Sequence, residues 1–115
     1  MAYHDPVEMK KGNAKLITTE ILNSDGSGPD LNNATEILLS ISDTQASARH
    51  FQKTMTDAVI TDGTQTGNKV SFTILPADVA DLDAGEFYAE LRYTIGGLPY
   101  SPWERVLILS ESNND

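Results

Sequence analysis

Apolar residues recur along this chain at every second position, not at every third or fourth. Between Lys15 and Leu22, the side chains of Ile17, Thr19 and Ile21 share one face, and Leu16, Thr18, Glu20 and Leu22 share the other. From Thr35 to Ser42, Ile37, Leu39 and Ile41 alternate with Glu36, Ser40 and Ser42, with Leu38 the one apolar exception. Successive side chains of a strand point to opposite faces, so this is the pattern of strands with one buried face. Val70, Phe72 and Ile74 repeat it against Ser71, Thr73 and Leu75, as do Phe87, Ala89, Leu91 and Tyr93 against Tyr88, Glu90, Arg92 and Thr94. Trp103 to Ser110 is the last run, with Val106 and Ile108 opposed to Leu107 and Leu109. A weaker run, Arg49 to Thr56, offers Phe51 and Met55 to the interior, and a short segment at Ala58 to Thr61 is placed beside it.

Turn-forming residues separate these runs. Residues 23–30 form a polar loop, Asp62-Gly63 and Gly67-Asn68 bracket another, and Gly96-Gly97 predicts a hairpin before the final run. Pro99 and Pro102 are assigned to that connection, where a missing N–H does no harm. Pro76 to Leu82 begins with proline and predicts one or two helical turns crossing between sheets. The expected fold is an all-β, immunoglobulin-like antiparallel β-sandwich of about seven strands, with a short helical turn near 76–82. Its expected organisation is an N-terminal arm at 1–13, the sandwich at 14–110 and a C-terminal tail at 111–115. A chain of 115 residues fits one core.

Charge narrows the partners. With 8 basic and 17 acidic residues the net charge is -9, a surface that repels phosphate backbones and anionic lipid. Neither nucleic acid nor membrane is therefore expected as a partner. Such acidity reads either as a means of solubility or as selection of a basic partner surface, and charge alone does not separate the two. The absence of cysteine suits a reducing compartment. The opening MAYHDPVEMKKGN lacks the apolar stretch of a signal peptide, so synthesis in a cytoplasm is expected.

Candidate chemistry is sparse. His4 and His50 stand in no metal-ligand or nucleophile spacing. Asp78, Asp81, Asp83 and Glu86 alternate like oxygen ligands, yet lack the glycine and terminal glutamate of a calcium loop, and solvation is the simpler reading. No glycine motif for phosphate is present. Hence no enzyme, no cofactor and no metal site is expected. The aromatic residues are of more interest. Asp83, Gly85 and Phe87 read as a corner entering a strand, with glycine permitting a tight bend and Phe87 lacking the hydroxyl of a tyrosine corner. Trp103, Tyr100 and Tyr88 are either core-edge packing or a contact patch. In the arm, Tyr3, Pro6, Val7 and Met9 are candidate apolar anchors that order on a neighbour.

Three stretches carry a family resemblance: Lys11-Gly12 before the first strand, Asp30-Leu31-Asn32-Asn33-Ala34 before the second, and Gly85-Glu86-Phe87-Tyr88-Ala89-Glu90-Leu91. Over about residues 9–110 the chain resembles the small immunoglobulin-like domains of tailed-phage virion proteins, among them the N-terminal domain of baseplate upper proteins. Its motifs mostly encode the fold. The resemblance implies a virion component without catalytic residues. Because the chain stops at Asp115, without the segments that follow the domain in baseplate proteins, it looks like a capsid decoration or cement protein. That reading implies binding to the major capsid protein lattice or other virion proteins, with threefold clustering as an oligomeric option. The alternatives are a tail, neck or baseplate adaptor, and a carbohydrate-binding sandwich with Tyr88, Tyr100 and Trp103 as its platform.

Overall fold

Each alternating run forms a strand, and the strands divide between two sheets. The computed structural model describes residues 6–22, 26–44 and 47–111. Its strands are β1 (Val7–Lys10), β2 (Lys15–Glu20), β3 (Glu36–Ser42), β4 (Arg49–Lys53), β5 (Val59–Thr61), β6 (Lys69–Ile74), β7 (Gly85–Ile95) and β8 (Leu98–Ser110). One sheet has five strands in the order β1-β8-β7-β3-β4, and the other has three in the order β2-β6-β5. The fold is an all-β sandwich. Among the described residues, the helical segments are short 3-10 turns, and no helix is long and apolar enough to cross a membrane.

The core lies where the two inner faces meet. Ile37, Leu39 and Ile41 of β3 lie beside Ala89, Leu91 and Tyr93 of β7 in the register that the alternation requires, and Leu107 and Leu109 of β8 continue the layer. Ile17, Val70, Phe72 and Ile74 supply the opposing face. Each such side chain withdrawn from water contributes about 1.5–3 kcal/mol before entropy is counted. Phe51 and Met55 pack partly buried against this core, as their spacing predicts.

Two features differ from the sequence reading. Val7–Lys10, assigned there to an arm, is a strand, and it runs parallel to β8 with Val7 opposite Leu107 and Lys10 opposite Ser110. Its Met9 side chain is buried in the core, which is what fixes the segment to the sheet. Secondly, β8 starts at Leu98, so Pro99 and Pro102 lie inside a strand. Between the Leu91–Trp103 and Tyr93–Tyr100 pairs, β7 has one residue where β8 has two. Pro102 sits in that bulge, where no ladder N–H is needed. Gly85, at the start of β7, has the positive φ expected of it, 158°, with open space where a Cβ would stand and a bend at the preceding Ala84. Phe87 closes the core edge, with His50 edge-on to its ring at 5.5 Å.

The expected helical turn is present as a 3-10 turn at Pro76–Val79. It carries the chain from β6 to β7, hence from one sheet to the other, and buries Val79. Asp78 accepts from the Leu75 N–H at 2.7 Å and from Lys53 Nζ of β4 at 2.6 Å, a largely buried ion pair that ties the crossing to the five-stranded sheet. Lys11 Nζ donates to the Leu82 carbonyl at 2.7 Å nearby.

Candidate partner-binding site

The loops joining β2 to β3, β5 to β6 and β7 to β8 meet at one end of the slab. There the chain must cover a core end with backbone that has no strand partner, and buried polar groups must be satisfied locally. Asn68 does this. Its side chain is fully buried. The Gly63 and Gln65 N–H groups donate to Asn68 Oδ1 at 3.0 and 3.3 Å, and Asn68 Nδ2 donates to the Ile21 carbonyl at 3.0 Å and to Glu20 Oε2 at 3.3 Å. The Thr64 N–H and hydroxyl also donate to Glu20 Oε2, at 2.6 and 2.5 Å. Those bonds favour the ionised form: the Thr64 hydroxyl first, then its N–H, then Asn68 hold the Glu20 carboxyl below its ordinary value.

The same network reaches the β2–β3 loop. Gly67 has φ 69°, and a Cβ there would collide with Asp30 Oδ1, so only glycine lets the two loops approach. The Leu31 N–H donates to the Gly67 carbonyl at 2.9 Å, and Leu31 is itself buried. Asp30 Oδ1 caps the following 3-10 turn, accepting from the Asn32 N–H at 3.0 Å. This loop is therefore held from behind.

Its front side faces the β7–β8 hairpin. Gly96 and Gly97 take φ 62° and 79°, the signs a two-residue hairpin turn needs. Beside them Leu98 is 60% exposed and Tyr100 is 45% exposed. Tyr100 stacks on Tyr93 with ring centroids 5.1 Å apart and planes 21° from parallel. Burial, and secondarily the neighbouring Tyr100, push the Tyr93 phenol above its ordinary value, so it stays a neutral, hydrogen-bonding group at physiological pH. Between hairpin and loop lies a cleft of about 270 Å³ lined by Pro29, Asp30, Asn33, Tyr93, Ile95 and Tyr100. It is apolar and aromatic, with one carboxylate at its rim. Such a surface can take an apolar side chain flanked by a cation.

The residues singled out in the sequence do not come together here. Tyr100 alone of them is at the cleft. Trp103 is 7% exposed and faces the core, with the Arg105 guanidinium 4.9 Å from its ring centroid. Tyr88 is buried and lies on the other face of the same sheet, between Ser42 and Val106. Tyr88, Tyr100 and Trp103 therefore build no common platform, and the sugar-binding arrangement drawn from them is not present. Of the arm anchors, Met9 is buried in the protein's own core, Val7 packs against it, and Pro6 is exposed just before β1. Tyr3 lies outside the described residues. Leu98, Ile95, Pro29 and Asn33 were not singled out. The Gly-Gly turn signalled the hairpin, and the apolar Leu98 beside it was the available clue.

Asp78, Asp81, Asp83 and Glu86 do not converge either, since Asp78 is engaged by Lys53 and the Leu75 N–H. Among the described residues no group of three or more His, Cys, Asp or Glu is placed to hold a metal ion.

No protein-family model matches the chain, and neither does any curated protein. Among solved structures, the chain is similar to the N-terminal domain of phage TP901-1 ORF48, at 12% identity and a TM-score of 0.52, over 92% of this chain and 85% of that one. The fold of this protein is thus one also found in a phage protein domain, as the resemblance read from its motifs leads one to expect.

Proposed function

We propose that this protein is a non-catalytic structural component of a phage virion, which docks onto another virion protein through the β7–β8 hairpin and the cleft beside it. The observation that carries the reading is the exposure of Leu98 and Tyr100 on a hairpin otherwise held rigidly in the five-stranded sheet. Apolar side chains exposed next to one another mark a contact surface, whereas single ones scattered over a surface do not. With a net charge of -9 and Asp30 at the cleft, the complementary surface is an apolar knob set among basic residues. Multiple copies on a symmetric particle gain in hold even where each contact is weak.

Within the virion, a tail, neck or baseplate adaptor is the placement we favour over capsid decoration. Support comes from the resemblance of the motifs to baseplate upper proteins and the likeness of the fold to a phage protein domain. Quantifying the chain in purified particles tests the placement: tens of copies or fewer fit an adaptor, and hundreds move it to the capsid. Its absence from particles would end the virion reading.

A further inference from the structure

Leu98 and Tyr100 are not the only large apolar side chains left in water. Among the described residues Leu16, Leu22, Val59 and Leu75 are exposed as well, at 62%, 50%, 59% and 47%. Three of these four share one surface, the outer face of the three-stranded sheet. Leu16 of β2 stands opposite Thr73 of β6, and Val59 of β5 stands opposite Ser71. Leu75 follows β6 with extended backbone, two residues on from Thr73 and on the same side. Same-face neighbours in adjacent strands lie about 5 Å apart when directly opposite and about 7–8 Å apart on the diagonal. Leu16, Val59 and Leu75 therefore surround Thr73 as one patch, and adjacent exposed apolar side chains mark a contact surface.

Charge says what covers the patch. The Thr18 and Ser71 hydroxyls, hydrogen-bonded to each other at 2.8 Å, continue the face without charge. At the outward positions of β2, β6 and β5 the ionised groups are Glu20 and Lys69, which stand directly opposite one another and cancel. Asp57, just ahead of β5, turns its carboxylate back to the Thr54 N–H at 2.9 Å. A chain of net charge -9 thus carries its acidity away from this face. A basic partner finds nothing here to attract it and is drawn to the acidic surfaces instead. Two copies of the chain repel one another through any surface that shares in the acidity, and that repulsion is least here. The occupant that charge favours is a second copy.

We propose that two copies of this chain pair through the outer face of the three-stranded sheet, about a twofold axis close to Thr73. Such an axis makes the contact isologous, so that Leu16, Val59 and Leu75 of both copies meet in one apolar layer. Three strands of up to six residues make a face of about 14 by 20 Å, on the order of 300 Å². That is well under the roughly 800 Å² per partner of a standard stable interface, so the isolated pair is weak and dissociates in dilute solution. Copies held close together on a larger assembly pair far more readily. The hairpin cleft belongs to the five-stranded sheet, so the pairing stands whether or not the cleft docks a virion protein.

The test is a dilution series of the full chain from micromolar to millimolar, followed by sedimentation equilibrium and amide NMR. A monomer–dimer equilibrium with a dissociation constant of about 0.1–1 mM is expected. Its concentration-dependent shifts should fall at Leu16, Thr18, Val59 and Ser71 to Leu75, and not at residues 95–100. Added salt should tighten the pairing a few-fold by screening the repulsion between two acidic copies, whereas a contact between opposite charges would loosen. Thr73→Glu changes an exposed side chain, which should leave the melting temperature within about 3 °C, and sets like charges together at the axis. It should weaken pairing more than about tenfold, as should Thr73→Lys, and an equimolar mixture of the two variants should pair again. Val59→Thr keeps the β-branched shape and should weaken pairing a few-fold; it carries the test if the Thr73 variants do not fold. Pairing by Thr73→Glu as tight as the wild type's, shifts confined to residues 95–100, or pairing that loosens with salt would overturn the proposal. So would a wild type that stays monomeric at millimolar concentration, which would leave the face to an uncharged surface of a different protein.

Discussion

The loop between β2 and β3 has two sides, and they are built on opposite rules. Behind it, the β5–β6 loop is all polar contact: Asn68 is fully buried, each of its side-chain polar atoms is bonded, and Gly67 lets Asp30 come close. In front, the β7–β8 hairpin leaves Leu98 and Tyr100 in water with a cleft between them and the loop. A buried polar network fixes geometry because each broken bond leaves an unsatisfied group, whereas exposed apolar area does nothing for the isolated chain. The back therefore holds the front in shape, and the front is available for a partner. A preformed surface of this kind loses little entropy on docking.

That division can be broken from either side. Asn68→Ala removes the polar side chain and leaves the Gly63 and Gln65 N–H groups and the Ile21 carbonyl without it. A loss of about 3 kcal/mol is expected, seen as a fall in melting temperature on the order of 10 °C. Retention of full stability would mean the back does not hold the front. Lys53→Met, far from this end, is the control for an ordinary buried pair. It should cost about 2 kcal/mol in denaturant titrations, and the double change Lys53→Met with Asp78→Leu should recover part of that.

On the front, Leu98→Asp with Tyr100→Ala should leave the melting temperature within about 3 °C, since surface changes shift stability by under about 0.5 kcal/mol. Incorporation into particles, scored in a mixed complementation with the wild type, should nevertheless fall more than about tenfold. Equal incorporation would remove the hairpin from the contact. The smallest effect is expected at Glu20, whose carboxyl is held below its ordinary value of 4.5 by Thr64 and Asn68. A depressed carboxyl adds stability above 4.5 that is lost as pH falls through the folded-state value. Glu20→Gln should accordingly melt slightly below the wild type at pH 7, lose less as pH falls below 4.5, and converge with the wild type in acid.

Much of the fold was legible because the alternation of Ile37, Leu39 and Ile41, or of Phe87 to Tyr93, has only one solution that buries a single face. The Gly96-Gly97 hairpin and the turn at Pro76 were legible from local backbone chemistry. The site was much less so. Tyr100 was in view, but Trp103 and Tyr88 looked equally available until the sheet placed one inward and the other on the opposite face. Asn68 looked like a turn residue, and only the convergence of residues 20–21, 63–65 and 68 makes it a buried anchor.

The sequence by itself determined the all-β class, the approximate strand positions and the strongly acidic surface, because period, turn chemistry and charge are properties of neighbouring residues. Tertiary structure decided the rest. It placed Val7–Lys10 beside β8, in the sheet opposite β2, and it carried Leu98 and Tyr100 out to the tip. Strand pairing and exposure depend on contacts between residues far apart in the chain, and no local pattern encodes which sheet a short first strand will join.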